Sequence, residues 1–298
     1  MNDEDLSALS KKTKILISTV GPYALYGEHA FKACAENGTH YLDVTGEVAF
    51  VSKMIKKYEK TAEASGAWMF PQIGVDSAPA DLTTWTLVTM IKEKLSVKTA
   101  EVVCSLYDLT GSPSGGTIAT VLNLMDSFSM QELAAANKPY ALSPVPGPKT
   151  PNPSPWYTSL FGFRAVSDLG VLTTSFGGLA DTPIVQRSWG LLGGNDFYGP
   201  NFYFTEFMKA RNHLTAILFH FAILVGSMAL AIGPLRRLAR GYVTQPGGGD
   251  ALEDANRARI EYRAIGIPDL KGTKTKAFVR ASFERSPYVR ESSCFPRV

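Results

Sequence analysis

The sequence predicts an α/β chain: a parallel sheet built by alternating strands and helices, followed by an α+β region that carries one long hydrophobic helix. Three observations point there. The first hundred residues alternate short β-branched apolar runs with segments of helical spacing, the pattern of a parallel sheet with crossover helices. Hydrophobic residues make up 45% of the 298 and charged residues 19%, which is too apolar for a disordered chain and enough to bury a core. Residues 214–235 hold no formal charge.

The first strand is expected over residues 14–20, an apolar run closed by Gly21-Pro22. A helix over 28–37 follows, acidic at its start and with Gly38 just beyond its end. Strand 39–44, helix 50–64 with Met54, Ile55 and Tyr58 on one stripe, and strand 67–75 complete the alternation. These elements form a first domain over 1–82, and 83–298 form the second. Within the second, 82–95 reads as a helix, 99–109 alternates as a strand, and 117–128 returns to helical spacing after Gly115-Gly116. Six prolines between 143 and 156 make that stretch an extended connection. Two β-like stretches at 170–174 and 182–192 precede an aromatic segment at 197–207, and the tail beyond Gly247 is polar and poorly periodic.

Several function classes are excluded on composition. Thirty basic against 27 acidic residues give a net charge of +3, too small and too scattered for a nucleic-acid partner. Cys34, Cys104 and Cys294 are far apart, so neither a disulfide framework nor a zinc site is expected. The histidines lack ligand spacing and no metal site is expected; the absence of G-x-S-x-G argues against a hydrolase elbow. The charges at Asp3, Glu4, Asp5, Lys11 and Lys12 leave no signal peptide at the start.

Four loops are candidate site elements, because ligands of open α/β sheets bind where strand ends and helix starts converge. Val20-Gly21-Pro22-Tyr23 ends the first strand; its other reading is a tight turn with Gly and Pro chosen for backbone angles. Gly46-Glu47 ends the second, where a carboxylate can accept from a sugar hydroxyl or an amide, or serve as an acid at a helix start. Asp76-Ser77 ends the third and reads equally as a turn before a helix. Ser114-Gly115-Gly116-Thr117 opens a helix whose amides can hold an anionic substrate group, or is simply a glycine-rich start. Tyr23, Asp76 and Ser77 are the candidates for catalysis, although a tyrosine in such a core more often buries its ring and ties off its hydroxyl.

These residues also carry a resemblance. Val20-Gly21-Pro22-Tyr23, Tyr26-Gly27-Glu28, Ala33-Cys34, the run from Gly38 to Glu47, then Gly74 to Asp81, Ser114 to Thr117, and Asp181 to Val185 with Arg187-Ser188 together resemble the saccharopine dehydrogenase-like oxidoreductases, which include trans-acting enoyl reductases. The resemblance implies a partial Rossmann-like sheet whose first strand here corresponds to a middle strand of the family's sheet. The family's glycine-rich turn would then lie upstream of Met1, and residues 284–298 depart from the family's closing elements. It implies NADP or NAD as cofactor, held by Val20, Gly21, Pro22, Tyr23, Gly46 and Glu47, with Ser114 to Thr117 on the substrate side.

The uncharged stretch would reach roughly 33 Å as a helix, close to the thickness of a bilayer's hydrocarbon. Lys209 and Arg211 flank one end and Arg236, Arg237 and Arg240 the other, a bilateral charge that suits a hairpin or in-plane insertion better than a span. The competing expectation is a helix buried in the second domain or in a homodimer interface. The resemblance implies a cytosolic-facing membrane location: lipid droplet, endoplasmic reticulum or mitochondrion. Two functions follow: an NAD(P)-dependent oxidoreductase on a small-molecule, lipid-like or polyketide-like substrate, or a catalytically silent relative that attaches to a membrane or a partner.

Overall fold

The computed structural model describes residues 2–75, 77–110, 115–241 and 257–284, with the side chains of 115–119 left aside. The residues before the first strand, read from sequence only as a polar lead-in, form helix α1 (Asp3–Ser10). Asn2 caps it by accepting from the Glu4 N–H at 3.0 Å, and Asp3, Glu4 and Asp5 fill its positive first turn.

Strands β1 (Ile15–Ser18), β2 (His40–Asp43) and β3 (Met69–Phe70) form a parallel sheet in that order, connected by helices α2 (Tyr23–Asn37) and α3 (Val48–Ser65). Helix α2 begins five residues before its predicted start and ends at Gly38, whose φ of +73° and 2.9 Å clearance from the Ser65 carbonyl to an added Cβ leave room for glycine alone. The sheet is thus the expected α/β unit, with two differences. The third strand is two residues long rather than nine, because Gln72 turns the chain with a positive φ of 63°. The other is only apparent: β1 is the edge of these three strands, with Ile15 and Ile17 exposed along it, as a partial sheet that begins at a middle strand of the family's sheet requires.

Helix α4 (Ala78–Leu95) runs across the 82/83 boundary into β4 (Thr99–Thr110), the centre of a second, six-stranded sheet. Its order is β5 (Phe163–Val166), β6 (Gly170–Thr174), β7 (Tyr203–Lys209), β4, β8 (Arg259–Pro268), β9 (Ala277–Glu284), antiparallel except for the β4–β7 pair. Two predictions are corrected here. The stretch 182–192 is helix α8 (Gly178–Leu191), not a strand. Its β-branched Thr182, Ile184 and Val185 favour a strand locally, but the buried Asp181, Val185 and Trp189 recur every four residues, and burying that stripe against β4 and β7 outweighs propensity even with Pro183 inside the helix. The tail beyond Gly247 is not aperiodic either: β9 alternates, with Ala277, Val279, Ala281 and Phe283 turned to the core and Phe278, Arg280 and Ser282 turned away from it.

One face of this second sheet is covered by α4 and α8, where Leu87, Val88, Val185 and Trp189 meet Val102, Cys104, Ile260 and Ala264. The three-stranded sheet packs its own core around Phe31, Tyr41, Phe50 and Met54, roughly 1.5–3 kcal/mol of hydrophobic stabilisation for each such side chain fully buried. Helix α5 (Gly115–Ser127) lies beside α2, α6 (Met130–Ala136) follows with a Ser129/Glu132 capping box, and α7 (Trp156–Phe161) and α9 (Gly194–Phe197) are short connectors. The proline-rich connection between α6 and α7 is irregular, as expected.

The apolar stretch forms α10 (His213–Ala231), opened by an Asn212/Thr215 capping box, and α11 (Gly233–Arg240). It is the one helix among the described residues long and apolar enough to cross a membrane by length and composition. Only Ala216 and His220 of α10 are buried: Thr173 donates to the Ala216 carbonyl at 2.7 Å, and Thr174 lies 2.7 Å from His220 Nδ1. Leu214, Leu218, Phe221, Leu224, Val225 and Met228 remain exposed. The far end is tied back to the body. Arg236 donates to the Leu230 carbonyl at 2.7 Å and pairs with Asp126 of α5 at 2.5 Å, and Arg240 reaches Asp126 and Asn123. Strands β7 and β8, which precede and follow α10 in sequence, are both paired to β4.

Candidate active site

Parallel strands β1 and β2 end side by side, so the loops that leave them share one edge of the sheet. β1 leads into the cis Gly21–Pro22 peptide and then the first turn of α2. The Tyr23 phenol, buried, donates to the Ser18 carbonyl at 2.9 Å and accepts from the Val44 N–H at 3.4 Å, which ties the two strand ends together.

A helix start leaves N–H groups without intrahelical partners. In α2 these are met by Glu47, whose carboxylate accepts from Tyr23 N at 2.7 Å and Ala24 N at 2.8 Å. Glu47 precedes α3, so a helix-start acid was a fair reading, but the helix it caps is the neighbouring one. Burial raises its pKa, and the two backbone hydrogen bonds counter that.

Asp43, the last residue of β2, is fully buried. Its Oδ1 accepts from Thr45 N at 3.0 Å and Gln72 N at 2.8 Å, whereas Oδ2 and the buried hydroxyl of Tyr41 have no partner in hydrogen-bond geometry, although that hydroxyl lies near enough to the carboxylate to pull its pKa down against burial. Burial pushes the Asp43 carboxyl up to about 6. Gln72 continues the network: its side-chain amide donates to Ser77 Oγ at 2.9 Å and to the Ala180 carbonyl at 3.0 Å, and Ser77 Oγ lies 3.5 Å from Asp181 Oδ1. The edge of the first sheet is thereby joined to the start of α8. Nearby, Ser188 donates to Asp81 at 2.7 Å, and burial pushes that carboxyl up to about 6 as well.

The structure therefore brings Gly21, Pro22, Tyr23 and Glu47 into one cluster, with Gly46 in the adjoining loop and Val20 exposed beside it. Ser77 joins through Gln72. An added Cβ on Gly21 would lie 4.0 Å from Thr120 Oγ1, so α5, whose first turn carries Gly115, Gly116 and Thr117, runs alongside. Asp76 and Ser114 lie outside the described residues. No group of metal-ligating side chains occurs among the described residues.

Asp43, Tyr41 and Gln72 were not singled out from sequence. A signal was present: Tyr41 and Asp43 alternate on one face of a predicted buried strand, and a carboxylate on a buried face needs a reason. The arrangement fits part of a nicotinamide dinucleotide. The orphaned Asp43 Oδ2 suits a ribose hydroxyl or a carboxamide N–H. The start of α2 does not suit the pyrophosphate, since Glu47 already takes its N–H groups with a carboxylate.

Comparison with known proteins agrees with the sheet. Residues 1–69 match the family profile of the saccharopine dehydrogenase NADP binding domain. The chain is 33% identical over 270 residues to a Mycobacterium tuberculosis protein named provisionally as a trans-acting enoyl reductase, covering 87% of this chain and 64% of that protein. It is 31% identical over 274 residues to the "Trans-acting enoyl reductase" of Mycobacterium ulcerans, again 87% and 64%. It is 34% identical over 142 residues to the "Lipid droplet localized protein" of Caenorhabditis elegans, covering 46% of this chain and 32% of that protein. The chain thus spans about two thirds of the length of its mycobacterial relatives. The chain thus opens with a Rossmann-like NADP-binding domain that matches the saccharopine dehydrogenase profile, and along most of its length it is similar to proteins named trans-acting enoyl reductases.

Proposed function

We propose that this chain belongs to an NADP(H)-dependent reductase that acts on an activated double bond of a lipid-like substrate at a lipid surface. The observation that carries the reading is that one body joins the strand-end cluster to an exposed apolar helix: α5 runs beside the Gly21–Tyr23 turn and is clamped through Asp126 to the arginines that close α10. The names of the mycobacterial and nematode relatives support each half of it.

NADPH, when bound, supplies the hydride. The chain's own residues position and exclude. Asp43 offers a buried acceptor for a donor on the cofactor, and Tyr23 and Glu47 fix the ends of β1 and β2 and the start of α2 relative to one another. Tyr23 has its hydroxyl committed to Ser18 and Val44, which makes it a positioning residue rather than an acid.

For the lipid surface, an in-plane helix is the reading the topology supports. A helix crossing the bilayer would separate β7 from β8, and both are hydrogen-bonded to β4. The exposed leucines, Phe221, Val225 and Met228 would enter the acyl layer while Ala216 and His220 hold the helix to β6.

A silent relative that uses α10 for attachment is favoured by one observation, the occupation of the α2 start by Glu47. A titration separates the two. Saturable quenching of NADPH fluorescence at micromolar protein, weaker with NADH, is the result expected of the reductase; absence of saturable binding of either nucleotide refutes it.

A further inference from the structure

The second sheet has an outer face, opposite α4 and α8, that the reductase reading leaves unused. Strand alternation puts Tyr107 of β4, Lys209 of β7, Glu261 and Arg263 of β8 and Arg280 of β9 on that face, with Arg259 at the start of β8. Glu261, only 2% exposed, accepts from Arg259 at 2.5 Å, Arg263 Nε at 2.6 Å and Arg280 at 2.7 Å. Burial raises the Glu261 pKa, but the hydrogen bonds from Arg280 and Arg263 outweigh it and hold the group at about 2, ionised at any physiological pH.

One carboxylate does not balance this cluster. The ring of Tyr107 takes the Arg263 guanidinium at 3.3 Å and the Lys209 ammonium at 3.8 Å. Among the described residues Lys209 makes no ion pair, and the buried Nε of Arg259 has no acceptor. These groups and Asp108 line an open cavity of about 350 Å³ that holds four cations against two carboxylates. Glu284 stands opposite Arg259 in register without pairing to it.

We propose that this cavity binds the phosphate group of an anionic ligand, with Lys209, Arg259 and Arg280 as donors to its oxygens and Glu261 as the post that splays the guanidiniums. Arginine forks and an ammonium held by no carboxylate are groups that recognise phosphate, and the excess of cations at the cavity is what such a ligand would neutralise. The site is distinct from the strand-end cleft, since α4, α8 and the second sheet lie between them. Lys209 is three residues before Asn212, the cap of α10, so a phosphate here can belong to a lipid headgroup or to a soluble molecule. The proposal does not depend on the cofactor reading.

The test uses the full chain in neutral detergent. Calorimetric titration with inorganic pyrophosphate forms one arm. Flotation with phosphatidylcholine vesicles, with and without phosphatidic acid, forms the other. Lys209→Gln leaves all three Glu261 pairs intact and so keeps the fold, and Arg280→Gln removes the most exposed guanidinium of the three. Loss of one charge-assisted hydrogen bond predicts binding weaker by roughly tenfold in each. Pyrophosphate binding weakened by Lys209→Gln, with no gain from phosphatidic acid, assigns a soluble anion. A gain from phosphatidic acid that Lys209→Gln abolishes assigns a headgroup. No response sensitive to Lys209→Gln in either arm overturns the proposal, as does an equal loss in Lys94→Gln on α4, which would mark general charge attraction.

Discussion

Replacing Asp43 by Asn should stabilise the protein at neutral pH. Burial moves this carboxyl from 3.8 up to about 6, so the native state holds its proton over a range in which the unfolded chain has released it. The sign follows from linkage: between pH 4 and 6 the folded form binds more protons, and stability falls as pH rises through that window. The displacement corresponds to about 3 kcal/mol, all of it lost above pH 6. Asn keeps an oxygen for the Thr45 and Gln72 N–H groups at 3.0 and 2.8 Å and removes the charge from the orphaned Oδ2 position. An amide without a partner there still costs about 1–2 kcal/mol relative to the neutral carboxyl, which leaves a net gain of about 1–2 kcal/mol at pH 7.5 and a net loss of about 1–2 kcal/mol at pH 4. Denaturant unfolding of both proteins from pH 4 to 8 reads this directly, and the difference between them cancels the parallel contribution of Asp81. If Asp43→Asn is the less stable protein at pH 7.5 and the two curves stay parallel, Asp43 is not held against its own desolvation. On the proposed function the same variant should also weaken NADPH binding, because that reading gives the orphaned acceptor to the cofactor.

Other outcomes follow from the same contacts. Glu47→Ala strips two N–H groups at the start of α2 of their acceptor; a loss of about 2–4 kcal/mol by denaturant unfolding is expected, with faster amide exchange confined first to Tyr23 and Ala24. Arg164→Ala leaves Glu101 buried without the partner that holds it at 2.5 and 3.1 Å, and should cost about 3–5 kcal/mol, whereas replacing both members by apolar residues of similar volume should cost far less. Leu218→Lys with Val225→Lys places charges on the exposed side of α10; vesicle recovery should drop at least roughly tenfold while the circular dichroism spectrum is unchanged, and unchanged recovery would remove α10 as the lipid contact.

Much of the first sheet could be read from the residues because each strand there is short, β-branched and closed by a turn, and each helix ends at a glycine such as Gly38 or Gly66. Legibility declined where neighbours decide. Thr182, Ile184 and Val185 have strand propensity in isolation and become helical because Val185 and Trp189 need the face of β4 and β7. β9 escaped notice because its inward residues include two alanines, too small to mark a hydrophobic alternation. At the site, position on adjacent loops singles out Glu47 and Tyr23, and they do meet. That Glu47 would cap α2 rather than face a ligand depends on the pairing of β1 with β2, a fact of the third dimension. Asp43 was hidden for the opposite reason, being one charged residue within a strand otherwise unexceptional.

The pairing of β4 with strands on both sequence flanks of α10 bears on how compartment maps of this protein should be drawn. A hydropathy plot would place the segment holding Arg259 and Arg280 across the bilayer from the one holding Tyr203. Epitopes inserted in the 146–153 connection and in the 269–276 hairpin would instead report from the same compartment, and a protease added to one side would find both or neither.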